Sequence, residues 1–418
     1  MDTITHGIVG ALAGKALFAG GDVPARSKRA AMGRALSSPA AQVAIAACTL
    51  GSIFPDIDIF AGPVARNPLA IMEWHRNFTH SAALLPLWAL LLTAVTLPVA
   101  RWLRWKAPSF LGLYAIFAVG LATHILLDLV TNFGTMVWSP LRHSRPAWDW
   151  IFIVDLTLTG IALAPQIAAW CYREPSRFWP RSMGAFALLC AGAYGTYLFA
   201  KSQGYGFPFS IVVMAWVVFS AIVFLPSAGD IGFGWTRAAW CRTGIVVLCI
   251  YIGIAAAMHH KALEDVKEYA AAQHLQADYL AALPLPPSLL HWAGLITTAD
   301  GVWRTTFHEP SGTVDNTEFF LGPPSRDLVE EARKLPDVQI YLWFARFPVW
   351  RVVPLGGNET AVEISDARFF REGDPFADTN PRVAGGIGPI RSKSAGFTFR
   401  VVFDVHGRVV SHGFKEPE

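Results

Sequence analysis

Charge is scarce in this chain. Only 16% of its 418 residues are Asp, Glu, Lys or Arg, against about 25% in ordinary soluble domains. The 34 basic and 31 acidic residues leave a net charge of +3, too small to imply a nucleic-acid partner. Cysteine is sparse too. Cys48, Cys171, Cys190, Cys241 and Cys249 lie in or beside apolar segments without CxxC spacing, so no disulfide framework or zinc ribbon is expected and they read as small packing residues. The opening "MDTITHG" has no basic region ahead of an apolar core, so a cleaved signal peptide is not expected. There is no GxSxG, no HExxH and no Gly-rich phosphate loop in a fitting context, which argues against a serine hydrolase, a zincin and a P-loop enzyme. Internal repeats and low-complexity tracts are missing as well.

What fills the space is apolar sequence. Hydrophobic residues make up 53% of the chain, and the mean hydropathy is +0.38. Residues 80–100, 110–131, 151–171, 183–200, 208–226 and 243–258 read as membrane spans, since crossing needs about 20 apolar residues and at least about 17. Residues 3–20 and 40–55 are shorter and rich in Gly and Ala, as suits helices packed closely in a bundle. The expected fold is an all-α polytopic membrane bundle of about eight spans, followed by a soluble α+β, mainly β, domain. Sixteen Trp suit interfacial belts.

The basic residues orient the spans. Arg26, Lys28, Arg29 and Arg34 follow the first segment, and Arg101, Arg104 and Lys106 follow the third. Arg173, Arg177 and Arg181 follow the fifth, and Arg237 and Arg242 precede the last. With eight spans all four clusters fall on one side, which is cytoplasmic by the positive-inside rule. Both chain ends and the C-terminal domain then face outward, into the periplasm or the exterior. The domain plan is a membrane-embedded metal-site region at 1–160, further spans at 161–258, and an extracytoplasmic domain at 259–418.

In that last region, residues 259–283 suggest a polar, exposed helix broken by Pro284, Pro286 and Pro287. Asp300-Gly301 and His406-Gly407 read as hairpin turns. The stretch "VQIYLWFARFPVWRVV" reads as β-strand throughout.

The chemistry-bearing residues collect on the outward side of this topology. His124 and Asp128 are four apart in an apolar run, so they share a helix face and can reach one cation. Ionisable groups in hydrocarbon are costly and usually face an interior site. His124 lies roughly 21 Å from the cytoplasmic end of its helix, at 1.5 Å per residue. "FPDIDIF" places Asp56 and Asp58 after Pro55, in a turn. "HRNFTHS" carries His75, Arg76 and His80. The five-residue spacing separates the two histidines on a helix, so Asn77 or Thr79 is expected to cap the next span, with His75 in the loop and His80 in the first turn. Arg76 is placed to hold an anionic substrate or a carboxylate behind the metal. His6 follows Asp2 and Thr3, either of which suits an N-cap. Asp149 or Asp155, and less strongly His143, are candidates to complete the ligand set. His259 and His260 read as an interfacial pair.

His6, Asp56, His80, His124 and Asp128 are therefore the candidate metal ligands, and Asp58, His75 and Arg76 the candidate catalytic groups. Such ligands suit a divalent metal, with zinc favoured and manganese or magnesium the alternatives. A bound metal lowers the pKa of its water, which makes hydrolysis the natural reaction class.

Taken in order, "DTITHG", "FPDID", "HRNFTHS", "THILLDLVTNFGT" and "WDWIFIVD" resemble the YdjM-like family of bacterial inner-membrane proteins, labelled metal-dependent hydrolases. The resemblance is strongest over residues 1–160. It implies an inner-membrane location and hydrolytic activity. The order of ligands is also distantly similar to zinc-dependent phospholipase C and single-strand nucleases, matched here by His6, Asp56, His75 or His80, and His124 with Asp128. Those enzymes also use a processed N-terminal Trp amine, where this chain has Met1-Asp2, so one or two metals are expected rather than three.

The expected function is a metallohydrolase at the outer leaflet, acting on a phosphoester or other ester of a lipid or lipid-linked substrate, with membrane lipids as its surroundings and no nucleic-acid partner. Two other classes compete. One is a metal-ion or solute transporter, which would need polar residues along a route to the far side. The other is a non-catalytic protein whose metal only ties helices together.

Overall fold

A computed structural model describes residues 1–18, 38–65, 69–202, 208–286, 288–322, 327–370 and 397–415. The basic cluster Arg26, Lys28, Arg29 and Arg34, and Pro287, lie outside the described residues. Among the described residues eight long helices run in chain order: α1 Thr3–Leu17, α2 Pro39–Ile53, α3 Leu85–Trp102, α4 Phe110–Leu129, α5 Leu156–Cys171, α6 Phe178–Ser202, α7 Ser210–Phe224 and α8 Arg237–Ala272. Each matches one of the eight expected segments. Six stretches are long and apolar enough to cross a membrane: α2 extended to Phe60, α3, α4, α6 with the turn before it, α7 with the turns after it, and α8. At 15 and 16 residues, α1 and α5 fall short.

The chain divides into two compact units, described separately. One comprises Met1–Pro55, Thr79–Leu127 and Leu156–Tyr251. Its helices display bare apolar surface, including Leu87, Leu91 and Val95 on α3 and Met214, Val217 and Val218 on α7. Exposed apolar faces of this extent suit lipid contact. The interior is built on small residues. A Cβ at Gly10 would lie 2.4 Å from the Ser52 Cβ, and one at Gly120 would lie 2.4 Å from the Cys48 carbonyl oxygen. Only glycine lets α1 and α4 press this closely on α2. His6 sits one turn from Gly10 and His124 one turn from Gly120, so the tight packing brings the His6 carbonyl and the His124 imidazole to Ser52. Asp2 caps α1, its carboxylate accepting from the Thr5 N–H at 2.9 Å.

The other unit comprises Asp56–Phe78, Asp128–Asp155 and Ile252–Glu418. Its described strands form two antiparallel meanders. One is β1 Tyr279–Leu285, β2 His291–Thr298, β3 Gly301–His308 and β4 Thr313–Leu321; the other is β5 Pro348–Pro354, β6 Thr360–Asp366, β7 Phe399–Phe403 and β8 Val409–Phe414. Both expected hairpins form, the first turning at Ala299-Asp300, one residue before the expected Asp300-Gly301, with Thr298 paired to Gly301; β7 pairs with β8 around Gly407, whose φ is +73°. Sheet one covers the end of α8, where Ala262, Val266 and Ala270 pack against Trp292, Ile296 and Phe307. Sheet two joins helices α9 Asp327–Arg333 and α10 Pro336–Phe344 in a core that also takes in Leu69, Met72 and Phe133 from the connecting segments.

Three expectations change. The helix sought at 259–283 is the continuation of α8 to Ala272, and the chain is already strand at Tyr279. Pro284 sits inside β1, an edge strand where a missing N–H is tolerated. "VQIYLWF" is the helix α10, started by Pro336 at its first turn. Val338, Tyr341 and Phe344, three apart, give it one buried face, and that tertiary burial overrides β-propensity. Asp155 directly precedes α5 instead of lying inside a span.

Candidate metal centre

Asp56 and Asp58 stand on a 3-10 turn, Phe54–Phe60, that continues α2 past Pro55. His80 closes a second short turn, Phe78–His80, five residues ahead of α3. Neither Asn77 nor Thr79 caps α3. The Asn77 amide donates to the Glu73 carbonyl at 3.0 Å, and α3 begins at Leu85 without a side-chain cap. Residues 74–77 thus form a short loop between the helix Ala70–Glu73 and the turn Phe78–His80, tied back by the Asn77–Glu73 bond, which explains how two histidines five apart can approach one place.

Asp56, His80, His124 and Asp128 are all buried, and one ligand atom from each lies within 4.8 Å of the others. Asp58, His75 and His80 make a second group of the same kind, so His80 is common to both. The His124 Nδ1 sits 2.7 Å from the Ser52 carbonyl oxygen. A carbonyl only accepts, so that nitrogen carries the proton and Nε2 presents a lone pair. His80 Nε2 faces it at 3.0 Å, and two imidazole nitrogens so placed need a proton or a cation between them. His6 stacks on His124 with ring centroids 3.6 Å apart, and its carbonyl accepts from the Ser52 hydroxyl at 2.8 Å.

Arg76 is fully enclosed. Its guanidinium meets Asp128 Oδ1 at 2.8 Å and donates to the Thr131 hydroxyl at 3.0 Å, while its face lies 5.0 Å from the Phe133 ring. The backbone N–H of Arg76 donates to Asp58 Oδ2 at 3.1 Å, from a left-handed φ of 62° that costs a non-glycine residue on the order of 1 kcal/mol. Of the two roles expected for Arg76, the structure shows the carboxylate partner. Asp58 Oδ1 is 2.7 Å from His75 Nδ1, a carboxylate–imidazole pair that fixes the ring.

Charge counting makes the site receptive to a cation. Asp56, Asp58 and Asp128 act on Arg76, three carboxylates to one guanidinium. Arg145 adds a second positive charge nearby; Arg368 beyond it is matched by Asp366 at 2.8 Å, and the sum stays negative. Burying such an excess without compensation is expensive. Two nitrogens and two oxygens form a donor set that zinc accepts, and manganese also tolerates.

Asp149 does not join either group. Arg346 clamps it through two bonds of 2.8 and 2.9 Å. His143 is exposed and lies outside both groups, as does Asp155. Sequence inspection missed the Ser52 carbonyl, Thr131 and Arg145. Arg145 brackets the 74–77 loop by donating to the carbonyls of Met72, His75 and Gly134 while stacking on Phe133 and Phe344. No periodic signal marks a backbone acceptor or an arginine used as a bracket.

No curated protein and no solved structure matches the chain. The sequence profile of the YdjM inner membrane protein family matches residues 1–262, a stretch that includes both ligand groups. With that match over more than half its length, the chain belongs to the YdjM inner membrane protein family.

Proposed function

We propose that this inner membrane protein is a metal-dependent hydrolase that cleaves a phosphoester, or another ester, in a lipid or lipid-linked substrate at the outer leaflet. The observation that carries the proposal is the buried Asp56/His80/His124/Asp128 group, reached by a His75–Asp58 pair that shares His80 with it. Asp56, His80, His124 and Asp128 would hold the ion, with His6 against His124 as a fifth candidate ligand. Zinc is the favoured metal, ahead of manganese and magnesium. Bound there, a divalent ion supplies Lewis acidity and an acidified water.

The protein's own groups divide the remaining work. Asp58 holds His75 Nδ1, which leaves Nε2 to take a proton from the attacking water. Arg76 steadies Asp128 and, through its backbone N–H, Asp58. It therefore orders the carboxylates and, should a substrate phosphate displace one of them, supplies a fork for it. The bare apolar faces of α3 and α7 support a lipid setting for the substrate.

The placement of the basic residues supports an outward-facing site. Arg242 Nε donates to the Ala16 carbonyl at 3.0 Å, so the end of α1 and the start of α8 lie together, which supports one shared side for their basic flanks. His6, ten residues back along α1, is then about 15 Å further from that side.

The test is metal analysis of the detergent-purified protein, with hydrolysis assays on phospholipids and generic phosphoesters. Wild type should carry stoichiometric zinc or manganese and turn over an ester. His124→Ala, folded by size exclusion and thermal melt, should lose both. Equal turnover by the two proteins would overturn the proposal.

A further inference from the structure

Three further side chains converge in sheet one, and none belongs to the buried centre. His291 opens β2 and His308 closes β3, directly opposite each other in register. Their rings stack face to face, with centroids 4.7 Å apart and planes within 6°. Asp315 comes from β4. Register there runs from Thr306↔Asn316 to Phe307↔Val314, so Asp315 is the extra residue of a β-bulge. A bulge breaks alternation and re-aims a side chain. Here it turns the carboxylate onto His308, whose Nε2 lies 2.6 Å from Asp315 Oδ2. One ligand atom from each of the three lies within 4.8 Å of the others.

Ordinary sheet energetics do not call for this arrangement. An exposed His–Asp pair contributes at most about 1 kcal/mol. Two histidines directly opposite repel whenever both are protonated. Local structure has nevertheless been spent on bringing them together: the register seats one imidazole on the other, and the bulge supplies an oxygen. His308 and Asp315 are 53% and 39% exposed, so the group is open to solvent and to exchange. Two imidazole nitrogens and one carboxylate oxygen are borderline ligands, which selects zinc, nickel or copper(II) over calcium or magnesium. Three protein ligands with an open position define a site that keeps water.

We propose that His291, His308 and Asp315 form a second transition-metal site on the β-rich region, chemically separate from the buried centre, in which a divalent ion ties β2 to the β3–β4 hairpin. Because it is solvent-exposed and three-liganded, it exchanges its ion more readily than the buried group. The site tracks the metal outside the membrane rather than serving the reaction.

Cobalt(II) provides the test, since its visible d–d absorption reports ligand number and type directly. The full chain in detergent is stripped of metal and titrated with Co2+, alongside His308→Ala, Asp315→Asn and His124→Ala. Wild type should bind one equivalent more than His308→Ala, and Asp315→Asn should bind that equivalent on the order of tenfold more weakly. His124→Ala should keep it. His308 and Asp315 are exposed, and an unchanged thermal melt confirms that each variant folds. The same Co2+ stoichiometry and spectrum in wild type and His308→Ala would overturn the proposal. That outcome leaves the buried centre untouched, whereas loss of cobalt in His308→Ala alone would count against the buried centre and support this one.

Discussion

At the scale of single residues, the buried centre works by pairing each costly group with a defined partner. His124 is turned by the Ser52 carbonyl, Asp128 is held by Arg76, and His75 is held by Asp58. Removing one partner strands the other. Arg76→Ala should therefore take a guanidinium away from the buried Asp128 and cost about 3–5 kcal/mol in the metal-free protein, read as a lower midpoint in denaturant titration. Asp58→Asn is milder structurally, because the amide still accepts from Arg76. It should keep bound metal but cut turnover about 100-fold or more, if His75 acts as the base. Metal analysis beside steady-state kinetics separates the two effects. Retained metal with unchanged turnover would remove His75 and Asp58 from the chemistry.

At the scale of elements, glycine decides where the helices meet. The backbones of α2 and α4 touch at Gly120, where an added Cβ meets a carbonyl oxygen and the Ser52 amide nitrogen, neither of which can swing aside. Gly120→Ala should cost about 1–3 kcal/mol by overpacking. Because His124 is one turn away and bonded to Ser52, the same change should weaken metal binding. Gly192 has nothing within 4 Å of its Cβ position, so Gly192→Ala should leave both melt and metal content as they are. If the two alanine variants behave alike, close packing is not what sets the ligands.

At the scale of the whole molecule, residues outside the family match contribute to the core behind the loop. Leu69, Met72 and Phe133 are buried with Val338, Tyr341, Phe344 and the strands of sheet two. Arg368 reaches from beyond β6 to the Asn132 carbonyl at 3.0 Å. A chain ended after Ala272 should lose metal binding together with its β-rich region, measured by metal analysis of the truncated protein. Sheet two also has an acid-sensitive joint. Glu363 on β6 is enclosed between its register neighbours Arg351 and Arg400. Burial alone would raise its carboxyl, but the bonds from Arg400 and Arg351 hold it below the ordinary carboxylate range. A depressed folded pKa stabilises above the unfolded value of about 4.3. That stability is lost as pH falls through the lower folded value. Glu363→Gln should cost on the order of 3 kcal/mol at neutral pH and flatten the melt's dependence on pH below about 4.

Sequence by itself determined the helices, since apolar length and scarce charge leave the backbone few other ways to satisfy its hydrogen bonds in lipid. It also determined the ligand types, because His and Asp in hydrocarbon demand a reason. Pro336 and a three-residue burial rhythm showed α10 only after its neighbours were known, because aromatic and β-branched residues suit a strand equally well. Tertiary structure alone decided whether a further carboxylate completes the buried group. Asp56 and Asp128 join it as expected, while Asp149, a candidate to complete the set, is taken by Arg346 some two hundred residues away along the chain. The physical reason is that a carboxylate's role is set by the nearest positive charge, and in a folded chain that charge is rarely the nearest in sequence.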